Sequence, residues 1–263
     1  VISAQAFSDQ DMMPAENVTV VLSEKGWVKA AKGHEIDSSA LNYKSGDAFL
    51  KEAKGRSNKM AFFIDSSGRS YTLLANSLPS ARGQGEPLTG RLTPPIGAEF
   101  IDVVMGDDEQ LVILSSDAGY GFISTLGDLQ SKTKSGKHAI TLSKEAKTMR
   151  LTKVQNLESD YLAVITNRAR LLIFQVSELP HLSKGKGNKL INIKTDDFVA
   201  KEEFLIGLCI IKENQKLRVE YGNGKKHKQY SFSDLVNFTS HRARKGLTVP
   251  GVHGKALGID AID

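Results

Sequence analysis

A short pattern that returns five times is the feature that most narrows what this chain can become. Each copy has an apolar β-rich run, a small turn, a second run, then Leu and a basic loop containing Gly. Gly68-Arg69-Ser70-Tyr71 leads to Leu78-Pro79 and Ala81-Arg82-Gly83-Gln84-Gly85. Gly119-Tyr120-Gly121-Phe122 leads to Asp128-Leu129 and Lys134-Ser135-Gly136-Lys137. Ala169-Arg170-Leu171-Leu172 leads to Leu179-Pro180 and Lys184-Gly185-Lys186-Gly187. Gly224-Lys225-Lys226 leads to Asp234-Leu235 and Arg244-Lys245-Gly246, and the first copy reads Gly26-Trp27-Val28-Lys29 with Lys32-Gly33-His34. The copies stand 42, 51, 50 and 55 residues apart. A period of this length, with strands and no strong helices, points to radial repetition of small antiparallel sheets.

The runs read as strands: Val18 to Leu22, Met60 to Ile64, Leu111 to Leu114, Tyr161 to Ile165 and Leu205 to Ile211. Asp65 to Gly68, Ser116 to Gly119 and Tyr221 to Gly224 read as hairpin turns, where Gly or Asn supplies a positive φ. Residues 143–149 are the one place expected to form a turn or two of helix, with Ser143 as the cap. The only tryptophan is Trp27, so the Trp-Asp signature of the commonest propeller repeat is missing, as are paired kelch glycines. The expectation is an all-β, propeller-like domain of about five blades over residues 17–246. Residues 1–16 are expected to be a linker and residues 247–263 a closing segment or tail.

Length and composition allow this. The chain has 263 residues, 40% hydrophobic and 25% charged, within the ordinary globular range. No run approaches the ~20 apolar residues that span a bilayer. Asp9 and Asp11 interrupt any signal-like stretch, and the start at Val1 suggests a piece of a longer protein. The single cysteine, Cys209, lies in an apolar run; it reads as an inert buried thiol and suits a reducing cytoplasm.

The charge is segregated. Net charge is +5, yet residues 130–153 hold seven Lys/Arg against one Glu, residues 181–194 four Lys and no acid, and residues 222–246 six Lys/Arg against one Asp. A field with a basic side suits an anionic polymer as partner. Lysines that merely solvate loops are the plainer alternative. No catalytic constellation stands beside them. His34, His138, His181, His227, His241 and His253 are scattered without metal-ligand spacing. Gly185-Lys186-Gly187-Asn188-Lys189 lacks the spacing of a phosphate-binding loop. Asp107-Asp108-Glu109 reads as a solvated hairpin loop.

The stretch Val20-Val21-Leu22-Ser23-Glu24-Lys25-Gly26-Trp27-Val28-Lys29-Ala30-Ala31-Lys32-Gly33-His34 resembles the C-terminal domains of the topoisomerase IV A subunit, in the gyrase A C-terminal domain family. So do Asp65 to Tyr71, Leu78 to Gly90, Ser115 to Phe122 and Leu182 to Lys189. The Gln-Arg-Arg-Gly-Gly-Lys-Gly box that marks gyrase A is missing around Asn42 to Asp47, which favours the topoisomerase IV branch. The resemblance implies a β-pinwheel, whose blades exchange strands, and a domain that binds and bends duplex DNA without cleaving it. It implies Mg2+ and ATP used by other domains, with no cofactor here. It also implies a heterotetramer in which the B subunit of topoisomerase IV is the partner through the missing core. Chromosome-segregation proteins as further partners and a cytoplasmic, nucleoid-associated site are implied as well. Tyr71, Tyr120 and Tyr161 alternate with apolar residues and read as strand-face or core residues rather than the cleavage tyrosine.

On this reading five basic loops lie along one rim, where Lys and Arg neutralise phosphates. The expected contacts are Lys29, Lys32, Arg56, Lys59, Arg69 and Arg82, then Lys134, Lys137, Lys184, Lys186, Lys189, Arg242, Arg244 and Lys245. A gyrase-type wrapping domain and a protein-interaction propeller are the alternatives. A propeller enzyme such as a glycosidase would need carboxylates converging on a pocket, whereas the acids here lie in loops.

Overall fold

The structure is a computed structural model that describes Met12 and residues 14–263. Most of the expected linker, residues 1–11 and 13, lies outside the described residues.

Five antiparallel sheets are each built on a hairpin. In chain order the hairpins are Asn17–Ser23 with Trp27–Lys32, and Met60–Asp65 with Arg69–Leu74. Leu111–Ser115 with Tyr120–Thr125, Tyr161–Thr166 with Arg170–Gln175, and Lys216–Tyr221 with Lys226–Ser231 follow. A third strand pairs with the outer side of each first hairpin strand: Phe49–Arg56, Phe100–Met105, Thr152–Lys153, Leu205–Ile211 and Ala256–Ile262. In sheets one to four a two-residue strand pairs with the second hairpin strand: Glu86–Pro87, Lys137–His138, Asn188–Lys189 and Leu247–Thr248. Each of these arrives from beyond the hairpin of the following sheet. This strand exchange is the expected pinwheel feature, and the five sheets bear out the all-β reading.

The chain divides into two compact units, Val1–Asp108 with Leu129–His138, and Glu109–Asp128 with Ala139–Asp263. The first holds sheets one and two, around a core of Val20, Leu22, Ala61, Phe63, Tyr71 and Leu88. The second holds the other three, with Ile113, Leu162, Val164 and Phe174 in one cluster and Ile165, Leu171, Ile173 and Val219 in another. The first hairpin strands of sheets one to four are buried at nearly every position. Both faces therefore need apolar side chains, which is why these strands read as continuous apolar runs instead of alternating. Fully burying each Leu, Ile or Phe contributes about 1.5–3 kcal/mol.

Two expectations are corrected. Residues 143–149 contain no helix; Glu145 takes φ 66°, which ends any turn after the Ser143–Ala146 hydrogen bond. The short α-helices are Leu126–Leu129 and Thr195–Val199. Asp107 to Glu109 are exposed, but the strands they join belong to different sheets, so they form an inter-sheet link and not a hairpin loop. Residues 247–263 supply Leu247–Thr248 to the fourth sheet and Ala256–Ile262 to the fifth.

Candidate nucleic-acid interface

The basic loops owe their glycines to the strand exchange. A glycine with positive φ stands one residue before each exchanged strand: Gly85 at 86°, Gly136 at 74°, Gly187 at 79° and Gly246 at 73°. A Cβ on any of them would strike the carbonyl oxygen of Val28, Ser70, Gly121 or Leu171 respectively, at 2.7 Å for Gly136 and 2.5 Å for Gly246. Those four carbonyls all belong to the second residue of the second hairpin strand. The chain turns there, against backbone, in a conformation and a space that only glycine fits.

The first residue of the same strand braces the incoming loop. Arg69 donates from Nε to the Ser135 carbonyl at 2.8 Å and from Nη2 to the Gly136 carbonyl at 3.1 Å. The Tyr120 ring lies under the Lys186 ammonium, 4.1 Å from its centroid. Arg170 donates to the carbonyls of Lys245 and Asn192, the latter at 3.0 Å, and grips Glu203 through Nε at 2.9 Å and through Nη2 at 2.5 Å. Glu203 is only 3% exposed. Burial alone would raise its carboxyl pKa. Hydrogen bonds from Arg170 and Thr166, with the charges of Arg170 and Arg168, outweigh burial and hold it below the usual value.

In each unit the loops are also stitched to a neighbouring segment. In the first, Thr93 donates its N–H to the Lys134 carbonyl at 2.8 Å. In the second, Thr141 donates to Gly185 at 2.8 Å, Ala243 to Leu190 at 2.9 Å and Asn192 to Arg244 at 2.9 Å. Arg242 adds a bond from Nη1 to the Lys189 carbonyl at 3.2 Å. The loops ending at Gly187 and Gly246 are thus joined through backbone, and the side chains of Lys184, Lys186, Arg244 and Lys245 are exposed on them.

The sequence-predicted contacts sort into groups. Arg82 and Lys134 are exposed on the exchange loops of the first unit, as the four just named are in the second. Among the described residues, Arg82, Lys134, Lys184, Arg244 and Lys245 form no ion pair, so their charge stays available. Lys137 and Lys189 are half-buried, each within an exchanged strand. The guanidiniums of Arg69 and Arg242 bond to loop carbonyls and hold the loops in place. Lys32, Arg56 and Lys59 are exposed on or just beyond the strands of the first sheet; Lys32 lines a surface pocket with Ser80, Ala81 and Arg82 of the first exchange loop, and Arg56 bonds to the Asn17 side chain and the Ala15 carbonyl.

Lys29 is a correction. It is 2% exposed, its ammonium donates to the Asn42 and Gly83 carbonyls, and it sits 4.4 Å from the Tyr43 ring centroid. Burial lowers its pKa while Asp47 opposes the shift. It fastens the first sheet and presents nothing to a phosphate. Separately, Lys32-Gly33-His34 of the first copy leads into no exchanged strand, so among the described residues four exchange loops exist where five were expected. Sequence reasoning passed over Arg170; it also passed over Lys225, Lys226 and Lys228, which are exposed on the fifth sheet away from the exchange loops. Aligning the repeats at the first residue of the second hairpin strand brings Trp27, Arg69, Tyr120 and Arg170 into one column, and the last three brace an incoming exchange loop.

Elsewhere the chemistry is quiet. Among the described residues no three His, Cys, Asp or Glu side chains gather to hold a metal. Tyr71 is fully buried and donates to Asp65 Oδ2 at 2.6 Å; burial and that carboxylate raise its pKa. Tyr120 and Tyr161 are half-buried on strands. Cys209 is half-buried as a residue, yet burial pushes its thiol up to about 12. No helix among the described residues is long and apolar enough to cross a membrane.

Comparison with known proteins agrees with this geometry. Residues 110–154 and 160–201 match the family described as DNA gyrase C-terminal domain, beta-propeller. The chain is 49% identical to the DNA topoisomerase 4 A subunit of Pseudomonas aeruginosa over 94% of its own length and 32% of the relative's. It is 45% identical to the Escherichia coli protein of the same name, over 95% of the chain and 33% of the relative. The chain thus spans about a third of the length of the curated relatives it matches. A solved structure of the E. coli ParC C-terminal domain superposes with a TM-score of 0.84 at 43% identity, covering 94% of this chain and 99% of that one. A DNA gyrase A C-terminal domain shares the fold with a TM-score of 0.68 at 15% identity, over 94% of this chain and 83% of that one. With 99% of the ParC domain matched at this identity, the chain belongs to the family of C-terminal domains of the topoisomerase IV A subunit.

Proposed function

We propose that this chain is the non-catalytic part of a topoisomerase IV that grips duplex DNA and holds it bent, supporting decatenation and relaxation of supercoils during chromosome segregation. One observation carries the reading: exposed Lys and Arg without ion pairs recur on loops that enter equivalent exchanged strands. Such side chains neutralise phosphates and release counterions without reading sequence. Bending a site of 20–30 base pairs costs on the order of 1–6 kcal/mol, which contacts along the bend must offset. DNA cleavage, with its Mg2+ and ATP, belongs on this reading to other domains, as does pairing with the B subunit. Residues 17–246, closed by the strands that residues 247–263 supply, act as the binding domain, and the cytoplasmic nucleoid is its place of work.

The test is fluorescence anisotropy with a labelled duplex across a salt series, with end-to-end energy transfer reporting the bend. Affinity should fall steeply with salt and differ little between sequences. Arg244→Glu with Lys245→Glu should weaken binding and make the slope shallower by roughly two units, near 0.9 per lost phosphate contact. A flat salt response in the unmodified chain would overturn the reading.

A further inference from the structure

Four sheets cover their second hairpin strand with an exchanged strand from the next repeat, whereas among the described residues the fifth sheet receives none. Among the described residues its sheet holds three strands, and Lys226–Ser231 pairs with Lys216–Tyr221 alone. The repeat fixes which groups are left over. In the covered sheets the second and fourth residues of this strand point their backbone outward. Val28 pairs with Glu86 and Gly121 with Asn188, while the N–H of Ala30 and of Ile123 donates at 2.8 Å to Pro79 and Pro180. The same positions in the fifth sheet are His227 and Gln229. Among the described residues neither has an outward backbone partner. Lys226, His227, Lys228 and Gln229 are all exposed, next to an exposed Lys225.

We propose that this edge is an acceptor slot for an extended acidic segment of a partner protein, which adds as a fourth antiparallel strand. Three features select that occupant. An open edge offers N–H and C=O groups in alternation, and a peptide strand satisfies both, whereas phosphates are acceptors only and leave the carbonyls unpaired. Lys225, Lys226 and Lys228 repel a second copy of the same edge and attract carboxylates; lysines on an edge strand discourage self-pairing. The slot is short, since the exchanged strands it copies are two residues long and enter through a glycine. A glycine followed by alternating acidic and β-branched residues therefore matches the geometry and the charge. The idea stands apart from DNA binding by the exchange loops, which lie on other sheets.

The probe is a fluorescein-labelled peptide of glycine followed by alternating Glu and Thr, with a Lys/Thr peptide as control, titrated against the whole chain. Saturable binding by the acidic peptide and none by the basic one is expected. Gln229→Pro removes an outward N–H without touching the inward ladder, because proline is tolerated on an edge strand. It should weaken peptide binding about tenfold, near the net worth of one hydrogen bond at the upper end of its range. Lys226→Glu should weaken it further. Duplex affinity should stay unchanged in both variants. No saturable binding of the acidic peptide overturns the proposal, and so does equal binding by Gln229→Pro in a chain whose circular dichroism is unaltered. If the peptide fails while Lys226→Glu weakens duplex binding, the edge is an extension of the nucleic-acid surface.

Discussion

Substituting alanine at three glycines separates backbone conformation from crowding at the strand exchange. Gly83 has an ordinary φ and open space where a Cβ would sit. Gly33 has φ 84° and open space. Gly246 has φ 73°, and its Cβ would lie 2.5 Å from the Leu171 oxygen and 2.9 Å from the carbonyl carbon. Gly83→Ala should be neutral or stabilise by up to about 1 kcal/mol, through a less flexible unfolded chain. Gly33→Ala should cost ~1–2 kcal/mol, the penalty of a left-handed conformation. Gly246→Ala carries that penalty and must also push Leu247–Thr248 off the fourth sheet. The displacement loosens the pairings of Arg170 with Thr248 and Leu171 with Leu247, and the Val249 N–H bond to Ala169 at 3.0 Å. At about 1 kcal/mol for each backbone bond lost, the total is roughly 3–4 kcal/mol. Urea unfolding followed by circular dichroism measures all three. The Gly246 variant should also bind duplex more weakly, since Arg244 and Lys245 ride on the displaced loop. If Gly246→Ala unfolds at the same urea concentration as Gly33→Ala, crowding at the Leu171 carbonyl does not set the exchange and the proposed origin of the loops is wrong.

Other outcomes follow from single contacts. Arg170→Met leaves Glu203 buried without its partner, and should cost about 3–5 kcal/mol in the same unfolding assay. Because folding lowers the Glu203 pKa, its contribution in the unmodified chain is complete above the ordinary value of 4.5 and fades as pH falls through the lower folded value. Acid titration of stability should show that loss, and Arg170→Met should not. Ala169 occupies the fourth hairpin turn at φ 60°, where sheets one to three have Gly26, Gly68 and Gly119. Ala169→Gly should relieve strain of about 1 kcal/mol, offset in part by the lost buried methyl, so a melting temperature several degrees lower would contradict it. Cys209, with its thiol near 12, should resist iodoacetamide at pH 8 in the folded chain and react readily in urea.

The periodic pattern of turn, strand, Leu and basic Gly loop was legible without coordinates, and with it the number of sheets. Each hairpin is local, so its apolar runs and turn residues reveal it directly. The exchanged strands were not legible. Two residues such as Asn188-Lys189 carry no strand signal, and their pairing with Tyr120 and Gly121 spans a distance along the chain that no local propensity encodes. The same limit explains the site. Basic residues could be counted and placed in the repeat, but whether a cation faces water or a carbonyl depends on what packs against it. Lys29 and Lys134 look alike in sequence; one is sealed beneath Tyr43, the other is exposed on a loop. Composition and periodicity determined that the chain repeats a β hairpin and concentrates positive charge in its loops. Tertiary packing alone decided which glycines must stay glycine, which arginines brace backbone, and which edge carries no exchanged strand among the described residues, because each of those depends on residues far apart in sequence meeting within a few ångströms.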